Sequence, residues 1–149
     1  MTNFTIEKFD LKHVEETCEI HSRVSDGWSK NSLVGDIAND STTSFVAVAD
    51  GHVAAFCSYL VTDDAELLFV CTHPDKRKQG IAEKLLTESM ALLPRGISSV
   101  VLEVRSQNIA ALALYNKLGF EKLGVRKNFY SFPKDDAVVM QYNKKSVNN

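Results

Sequence analysis

Two apolar runs flank the pair Asp50-Gly51 in the segment SFVAVADGHVAAFCSYLV, residues 44–61. Asp-Gly between two apolar runs is the strongest short-range signal for a β-hairpin, because this pair readily adopts the positive φ angles that a tight hairpin turn requires. The segment therefore predicts two adjacent antiparallel strands.

Further periodic segments predict the elements on either side of this hairpin. Strands are expected at 3–9, 65–72, 98–104, 120–130 and 137–142, with a turn around Pro133 between the last two. Helices are expected at 10–21, from Ser29 onward, at 81–93 and at 108–119, with Asp10, Ser29 and Asn108 as N-caps and Gly119 at the last C-terminus. In the first helix, Leu11, Val14, Cys18 and His21 are expected to share one face. This order implies an α/β (α+β) fold, with one mixed sheet and helices on both faces.

Composition limits the classes of function. A chain of 149 residues suits a single domain, 1–149, and a net charge of -2 gives no overall field that would attract nucleic acid. The three cysteines lack the spacing of a metal site and are expected to be buried free thiols, as in a reducing cytosol. No segment resembles a signal peptide or a membrane span. We therefore expect a cytoplasmic protein with no metal, no membrane contact and no direct nucleic-acid contact.

The segment HPDKRKQGIA, residues 73–82, places three cations before a glycine and a helical pattern. A helix N-terminus has unpaired backbone N–H groups and favours anions, and Gly80 would allow a phosphate to approach closely. The alternative is that Lys76, Arg77 and Lys78 are solvated charges. Neither a P-loop nor a Rossmann glycine pattern is present.

Glu103 interrupts an apolar strand that is otherwise expected to be buried on both faces. A carboxylate there needs a partner or a solvated cleft. One interpretation is a salt bridge, with Arg105 as a candidate partner because it lies on the same strand face. The other interpretation is a general base.

Tyr115 shares one face of the predicted helix with Asn108, Ala111 and Leu118. A tyrosine in that position is either a core residue or a proton donor to a leaving group. The histidines at 13, 21 and 52 are interpreted as surface or core residues, and no Ser-His-Asp or Cys-His signature is present.

The loop and the helix together resemble the two signatures of the GNAT N-acetyltransferases. The pattern of Arg or Gln, two residues, Gly, one residue, and Gly or Ala is matched by Arg77, Gly80 and Ala82. The second pattern is matched by Asn108, Ala111, Leu114, Tyr115, Gly119 and Phe120. The segments LEVRSQN, LYNKLGF, VRKNFY and DDAVVM, together with GWS at 27–29, resemble the RimI type, the ribosomal-protein-alanine N-acetyltransferases. Departures from the usual pattern at Ala82, Phe129 and Asp135 put acceptor specificity in doubt more than catalysis.

This resemblance implies a GNAT fold, with a mostly antiparallel mixed sheet of about seven strands and a splay between the fourth and fifth strands. It implies acetyl-CoA as cosubstrate, with no metal. The acetyl-CoA contacts expected from it are Val70, Cys71, Thr72, Arg77, Lys78, Gln79, Gly80, Ile81, Ala82 and Asn108. Glu103 would be the base and Tyr115 the acid.

The acceptor implied by the resemblance is a protein N-terminal α-amine, possibly of a ribosomal protein. Its contacts would include Trp28, Tyr130 and Asp135, in a cleft between residues 22–30 and the 126–137 hairpin. Acidic residues at 63, 64, 135 and 136 could favour a basic N-terminus. A small amine or a lysine side chain as acceptor, and an inactive acyl-CoA-binding sensor, are the alternatives. A monomer or weak dimer is expected.

Overall fold

A computed structural model describes residues 3–24, 35 and 39–144. The strands are β1 (Phe4–Lys8), β2 (Thr42–Ala49), β3 (His52–Val61), β4 (Ala65–Thr72), β5 (Ser99–Arg105), β6 (Glu121–Ser131) and β7 (Lys134–Asn143). The described helices are α1 (Val14–Val24), α2 (Ile81–Leu92) and α3 (Ile109–Leu118), with short 3-10 turns at Leu11–His13 and Pro74–Lys76. The helix predicted from Ser29 onward falls mostly outside the described residues.

The seven strands form one mixed sheet in the order β1-β2-β3-β4-β5-β7-β6. The pairs β1-β2, β2-β3, β5-β7 and β6-β7 are antiparallel, whereas β4 and β5 are parallel. Pairing of β4 with β5 is limited to Ala65↔Val100 and Glu66↔Val101. The predicted GNAT fold with a splay between the fourth and fifth strands is therefore confirmed.

The chain divides into two compact units, Met1–Thr62 with Leu67–Leu93 and Asp63–Glu66 with Pro94–Asn149. The first unit contains β1 to β3, most of β4, α1 and α2, and the second contains the start of β4 with β5, α3, β6 and β7. The expectation of a single domain stays a prediction.

The β2–β3 turn confirms the hairpin predicted from Asp50-Gly51. Both residues have positive φ, 54° and 79°, and Ala49 pairs with His52 across the turn. The core of the first unit is built on these strands. Buried Val46, Val53 and Phe56 pack with Ile20 of α1.

Asp10 caps the turn that leads into α1, as predicted. Its carboxylate accepts the Leu11 N–H at 2.6 Å, and its own N–H donates to His13 Nδ1 at 2.9 Å. Of the residues expected to share one face, His21 is buried and Cys18 packs against the core, whereas Leu11 is 84% exposed. Leu11 lies in the 3-10 turn, so the helical phase begins after it.

The second unit is organised around β5, which pairs with β7 over its whole length. Leu102 and Val104 are buried, whereas Val101, Glu103 and Arg105 are only half-buried. The expectation that β5 is buried on both faces was therefore wrong. Glu103 lies on the more open face, so its carboxylate does not bear the cost of full desolvation.

Candidate active site

The loop before α2 in the first unit has a defined backbone path. His73 Nδ1 accepts the Asp75 N–H at 3.0 Å, and the His73 N–H donates to the Ala54 carbonyl at 2.7 Å. Lys78 and Gly80 then adopt positive φ angles of 64° and 77°. The positive φ of Lys78 has no sequence signal, because only glycine and, less often, Asn and Asp visit this region routinely.

Helix α2 begins directly after this loop. Gly80 is its N-cap and has no side chain with which to cap the first backbone N–H groups. Arg77, Lys78, Gln79 and Gly80 are exposed, Ala82 is half-buried, and Ile81 is buried and anchors the helix in the first unit. An exposed helix N-terminus with cations before it is chemically suited to an anion.

Strand β4 runs into this loop through Val70, Cys71 and Thr72, all half-buried. Burial raises the pKa of the Cys71 thiol to about 12, although the nearby Arg77 charge lowers it in part. The pKa of Cys57 is likewise about 12, because it is buried. Neither thiol is a thiolate at neutral pH, so neither is suited to be a nucleophile.

Glu103 in the second unit is ion-paired, but not with the predicted partner. Its Oε2 accepts a hydrogen bond from Arg126 Nη1 at 2.7 Å, and its side chain is 25% exposed. Arg105 instead donates to the carbonyl oxygens of Phe132 and Pro133 at 3.1 and 2.7 Å. Arg105 therefore anchors the turn between β6 and β7.

Sequence reasoning missed Arg126 as part of this site. It belongs to the segment VRKNFY, in which the sequence shows a family resemblance but no partner for Glu103. Arg126 comes next to Glu103 only through the register of β5, β7 and β6, and a single sequence does not contain that register.

Tyr115 lies on α3 and is 7% exposed. Its ring contacts Phe120 at 5.6 Å between centroids, and Phe120 contacts Tyr142 at 5.5 Å. The ring of Tyr115 is therefore packed in the core, as one of the two interpretations expected. A proton-donating role depends on its hydroxyl and is compatible with this packing.

Asn108 caps α3, as predicted. Its Oδ1 accepts the Ala111 N–H at 3.1 Å, and the helix ends at Gly119 with a φ of 103°. The side-chain amide N–H groups of Asn108 take no part in that cap.

Tyr130 contacts the charged groups around Glu103. The Arg105 guanidinium lies over its ring at 4.2 Å, and Phe129 contacts it edge-on at 5.0 Å. Burial raises the pKa of Tyr130, and the Glu103 charge raises it further. The Arg105 charge opposes this rise, and the Asp135 charge adds the smallest increase. The phenol is therefore protonated at neutral pH and able to donate a hydrogen bond.

Asp135 holds the chain around it in place. It accepts hydrogen bonds from the Ser106 hydroxyl and from the backbone N–H groups of Gln107 and Asp136. The Ser106 bond is the main reason that the pKa of Asp135 is lowered. These contacts favour a structural role, and its expected contact with the acceptor stays a prediction.

The structure brings Glu103, Tyr130 and Asp135 together in the second unit, and residues 70–72 and 77–82 in the first. Trp28 lies outside the described residues. Within the described part of the chain, no group of three or more acidic, His or Cys side chains could hold a metal ion. No described helix is long and apolar enough to cross a membrane.

Comparisons with known proteins show which proteins this chain resembles. The ribosomal protein bS18-alanine N-acetyltransferase of Escherichia coli K12 is 33% identical over 117 residues, 76% of this chain and 78% of that protein. A crystal structure of the ribosomal-protein-S18-alanine N-acetyltransferase from E. coli matches with a TM-score of 0.88 at 29% identity, over 97% of this chain and 96% of that one. The crystal structure of Arabidopsis thaliana NAA60 with acetyl-CoA matches with a TM-score of 0.80, over 99% and 100% of the two chains. At 18% identity that likeness shows the fold alone.

A model of a protein family also matches this chain. The model described as Acetyltransferase (GNAT) family matches residues 8–120, which include the loop before α2, strand β5 and helix α3. Together with the sheet order and the splay between β4 and β5, this match shows that the chain belongs to the GNAT acetyltransferase family.

Proposed function

We propose that this protein transfers the acetyl group of acetyl-CoA to the N-terminal α-amine of a protein, of the ribosomal-protein-alanine type. The observation that carries the proposal is Glu103, a half-buried carboxylate on the more open face of β5. It supplies a base within a family whose members transfer acetyl groups to amines.

Donor binding is assigned to the first unit and to Asn108. The exposed N-terminus of α2, with the backbone N–H groups from Arg77 to Ala82, would hold the pyrophosphate of acetyl-CoA. The backbone of Val70, Cys71 and Thr72 would bind the pantetheine amides, and the Asn108 side chain would contact the same arm. The exposed cations at 77 and 78 add electrostatic attraction for the pyrophosphate.

Chemistry is assigned to the second unit. An α-ammonium group has a pKa of about 7.7–8.0, so at neutral pH it must lose a proton before it can attack. Glu103 accepts that proton, directly or through water, and the neutral amine attacks the thioester carbonyl carbon. The carbon–sulfur bond then breaks, and the departing thiolate takes a proton from Tyr115. The amide nitrogen loses its second proton to water, and the tyrosinate is reprotonated from water. Acid–base catalysis of this kind contributes typically about 10²–10⁴-fold.

The acceptor assignment draws on the E. coli relatives, whose names specify alanine of ribosomal protein S18. Charge on this chain adds little support. Three of the four turn aspartates expected to attract a basic N-terminus, Asp64, Asp135 and Asp136, already accept hydrogen bonds from nearby backbone groups. These carboxylates are therefore already engaged in structural hydrogen bonds.

A peptide panel tests the proposal. Peptides that begin with alanine are offered with a free or a blocked α-amine, with and without an internal lysine, alongside small primary amines. We expect acetyl transfer and thiol release with free α-amines alone. Transfer to lysine or to a small amine would favour those acceptors instead. Acetyl-CoA binding without thiol release for any acceptor would identify an acyl-CoA sensor.

The proposal includes a cytoplasmic site of action and a monomer or weak dimer. Mass analysis of ribosomal proteins from cells with and without the gene tests the acceptor in its natural setting. If no ribosomal protein differs between the two kinds of cell by the mass of one acetyl group, about 42 daltons, the assigned acceptor class is contradicted.

A further inference from the structure

Arg126 occupies a place beside Glu103 that the proposed reaction requires for the acceptor. The two residues lie on the same face of the sheet, because Arg126 pairs with Ala137, Ala137 pairs with Arg105, and Glu103 is two residues before Arg105. On β7, this face carries Ala137 opposite Arg126 and Val139 opposite Glu103, and neither side chain is long. The Arg126 guanidinium reaches across β7 to Glu103 Oε2 at 2.7 Å.

The pair is open to solvent on the Arg126 side. The Arg126 side chain is 58% exposed and that of Glu103 is 25% exposed. Ion pairs with this much exposure are weak, because water and salt compete with them. Within the described residues, Glu103 Oε1 has no hydrogen-bond partner. Oε1 can therefore accept a hydrogen bond from a ligand, and Oε2 is held only by a weak ion pair that a ligand can replace.

Arg126 has a second place to bind. Its guanidinium lies over the Phe129 ring, 4.4 Å from the centroid. A cation on an aromatic face is attracted to the ring without a carboxylate. The arginine therefore keeps a favourable contact if its bond to Glu103 is lost.

An incoming α-ammonium group needs the same carboxylate. Glu103 must contact the ammonium, or a water bound to it, in order to remove its proton. Arginine cannot be deprotonated in proteins, so Arg126 can neither supply nor accept that proton. Two cations at one carboxylate also repel each other.

We propose that Arg126 is a specificity-determining residue that competes with the acceptor's ammonium group for Glu103. It neutralises the carboxylate in the free enzyme and remains on Phe129 when the acceptor displaces it. An acceptor with a charged amine replaces the lost ion pair, whereas an uncharged group at the same position does not. This inference rests on the proposed function.

Kinetics of Arg126→Gln with a peptide that begins with alanine test the proposal. Removal of the competing cation is expected to lower the acceptor KM about two- to fivefold, in line with the weakness of an exposed ion pair. The KM for acetyl-CoA is expected to stay at the wild-type value. In Arg126→Lys a cation remains without the forked guanidinium, so an intermediate acceptor KM is expected.

The matched control is Lys122→Gln. It removes the same charge from an exposed position of β6 outside the 126–137 hairpin, where Lys122 is in register with Met140. Its acceptor KM should equal that of the wild type. An equal fall in both variants would show a general charge effect and overturn the proposal.

Two further results would also overturn it. One is an unchanged or raised acceptor KM in Arg126→Gln. The other is a fall in kcat at constant KM, which would make Arg126 a residue that positions Glu103 for catalysis. These results are distinguishable from failure of the proposed function. If the proposed function is wrong, the wild type acetylates no α-amine, whereas failure of the inference alone leaves that activity intact.

Calorimetric titration of the same peptide, free or N-acetylated, into both proteins provides a readout without turnover. The free peptide should bind Arg126→Gln more tightly than the wild type by the same factor, and the acetylated peptide should not distinguish them. Equal affinity of the free peptide for both proteins would contradict the competition.

Discussion

At the scale of single residues, Tyr115 combines two roles, core packing and proton donation, in one side chain. The ring packs on Phe120, and Phe120 packs on Tyr142, so both tyrosines belong to one aromatic cluster. Core packing depends on the rings, whereas proton donation depends on the hydroxyl. A substitution that keeps the ring therefore tests the catalytic role by itself.

We expect Tyr115→Phe to lower kcat by about 10²-fold or more, because the departing thiolate loses its proton donor. The KM for acetyl-CoA should change far less. Tyr142→Phe is the control, because it removes a hydroxyl from the same aromatic cluster and leaves Tyr115 in place. Steady-state kinetics measure both variants, and a wild-type kcat across the pH range would exclude Tyr115 as the acid.

Asp64 is a second residue whose side chain has a defined task. Its carboxylate accepts the Ser99 hydroxyl at 2.7 Å and the backbone N–H groups of Ser99 and Ser98 at 2.8 and 3.3 Å. These hydrogen bonds lower the pKa of Asp64 below its usual value, and the bond from the Ser99 hydroxyl has the largest effect. The carboxylate therefore ties the start of β4 to the start of β5 within the second unit.

The lowered pKa predicts the pH dependence of that contribution. A carboxylate with a lowered folded-state pKa stabilises the protein above its unfolded pKa of about 3.9, and the effect is lost as the pH falls through the folded value. Asp64→Asn should therefore have a lower Tm than the wild type at neutral pH, with a difference that narrows below about pH 4. Thermal unfolding from pH 3 to 7 measures this, with Asp63→Asn as the control. A Tm difference independent of pH would refute it.

At the scale of elements, local sequence predicted most of the ends and turns. Asp50-Gly51, the Asn108 cap and the Gly119 terminus were predicted because each depends on the conformation of a few adjacent residues. The partner of Glu103 was predicted wrongly for the opposite reason. Arg105 is near in sequence, but the forked bonds of its guanidinium go to the β6–β7 turn, and Arg126 arrives from another strand.

The loop before α2 contains two residues with positive φ angles. Gly80 was expected to allow the close approach of a phosphate, and its φ of 77° is one that glycine adopts without strain. Lys78 has the same left-handed conformation without being glycine, asparagine or aspartate. Such a position is set by the surrounding loop rather than by its own preference, so propensity alone does not reveal it.

Gly80→Ala tests whether this backbone shape serves donor binding. A Cβ at Gly80 would meet nothing within 4 Å, so the substitution strains the backbone without a steric clash. We expect a loss of about 1 kcal/mol in the free energy of unfolding and a higher KM for acetyl-CoA. Gly96→Ala is the control, because that glycine also has open space and lacks a positive φ. An unchanged KM for acetyl-CoA would exclude the loop from donor binding.

At the scale of the whole molecule, strand β4 belongs to both units. Its first two residues, Ala65 and Glu66, group with the second unit, and the rest group with the first. The proposed roles divide along the same line, with pyrophosphate binding in one unit and the acid and base in the other. A chain of 149 residues is also within the usual size of one cooperative domain.

We therefore expect the protein to unfold in one transition, with calorimetric and van't Hoff enthalpies in a ratio of about 1. Acetyl-CoA at about 100 times its Kd should stabilise the folded state by about 2.7 kcal/mol, because it binds that state alone. For a chain of this length the corresponding rise in Tm is about 5–10 °C. Differential scanning calorimetry with and without acetyl-CoA measures both quantities, and free CoA serves as the control for binding without an acetyl group. Two separate transitions, or a shift confined to part of the trace, would contradict a single cooperative domain and would show that the two units unfold independently.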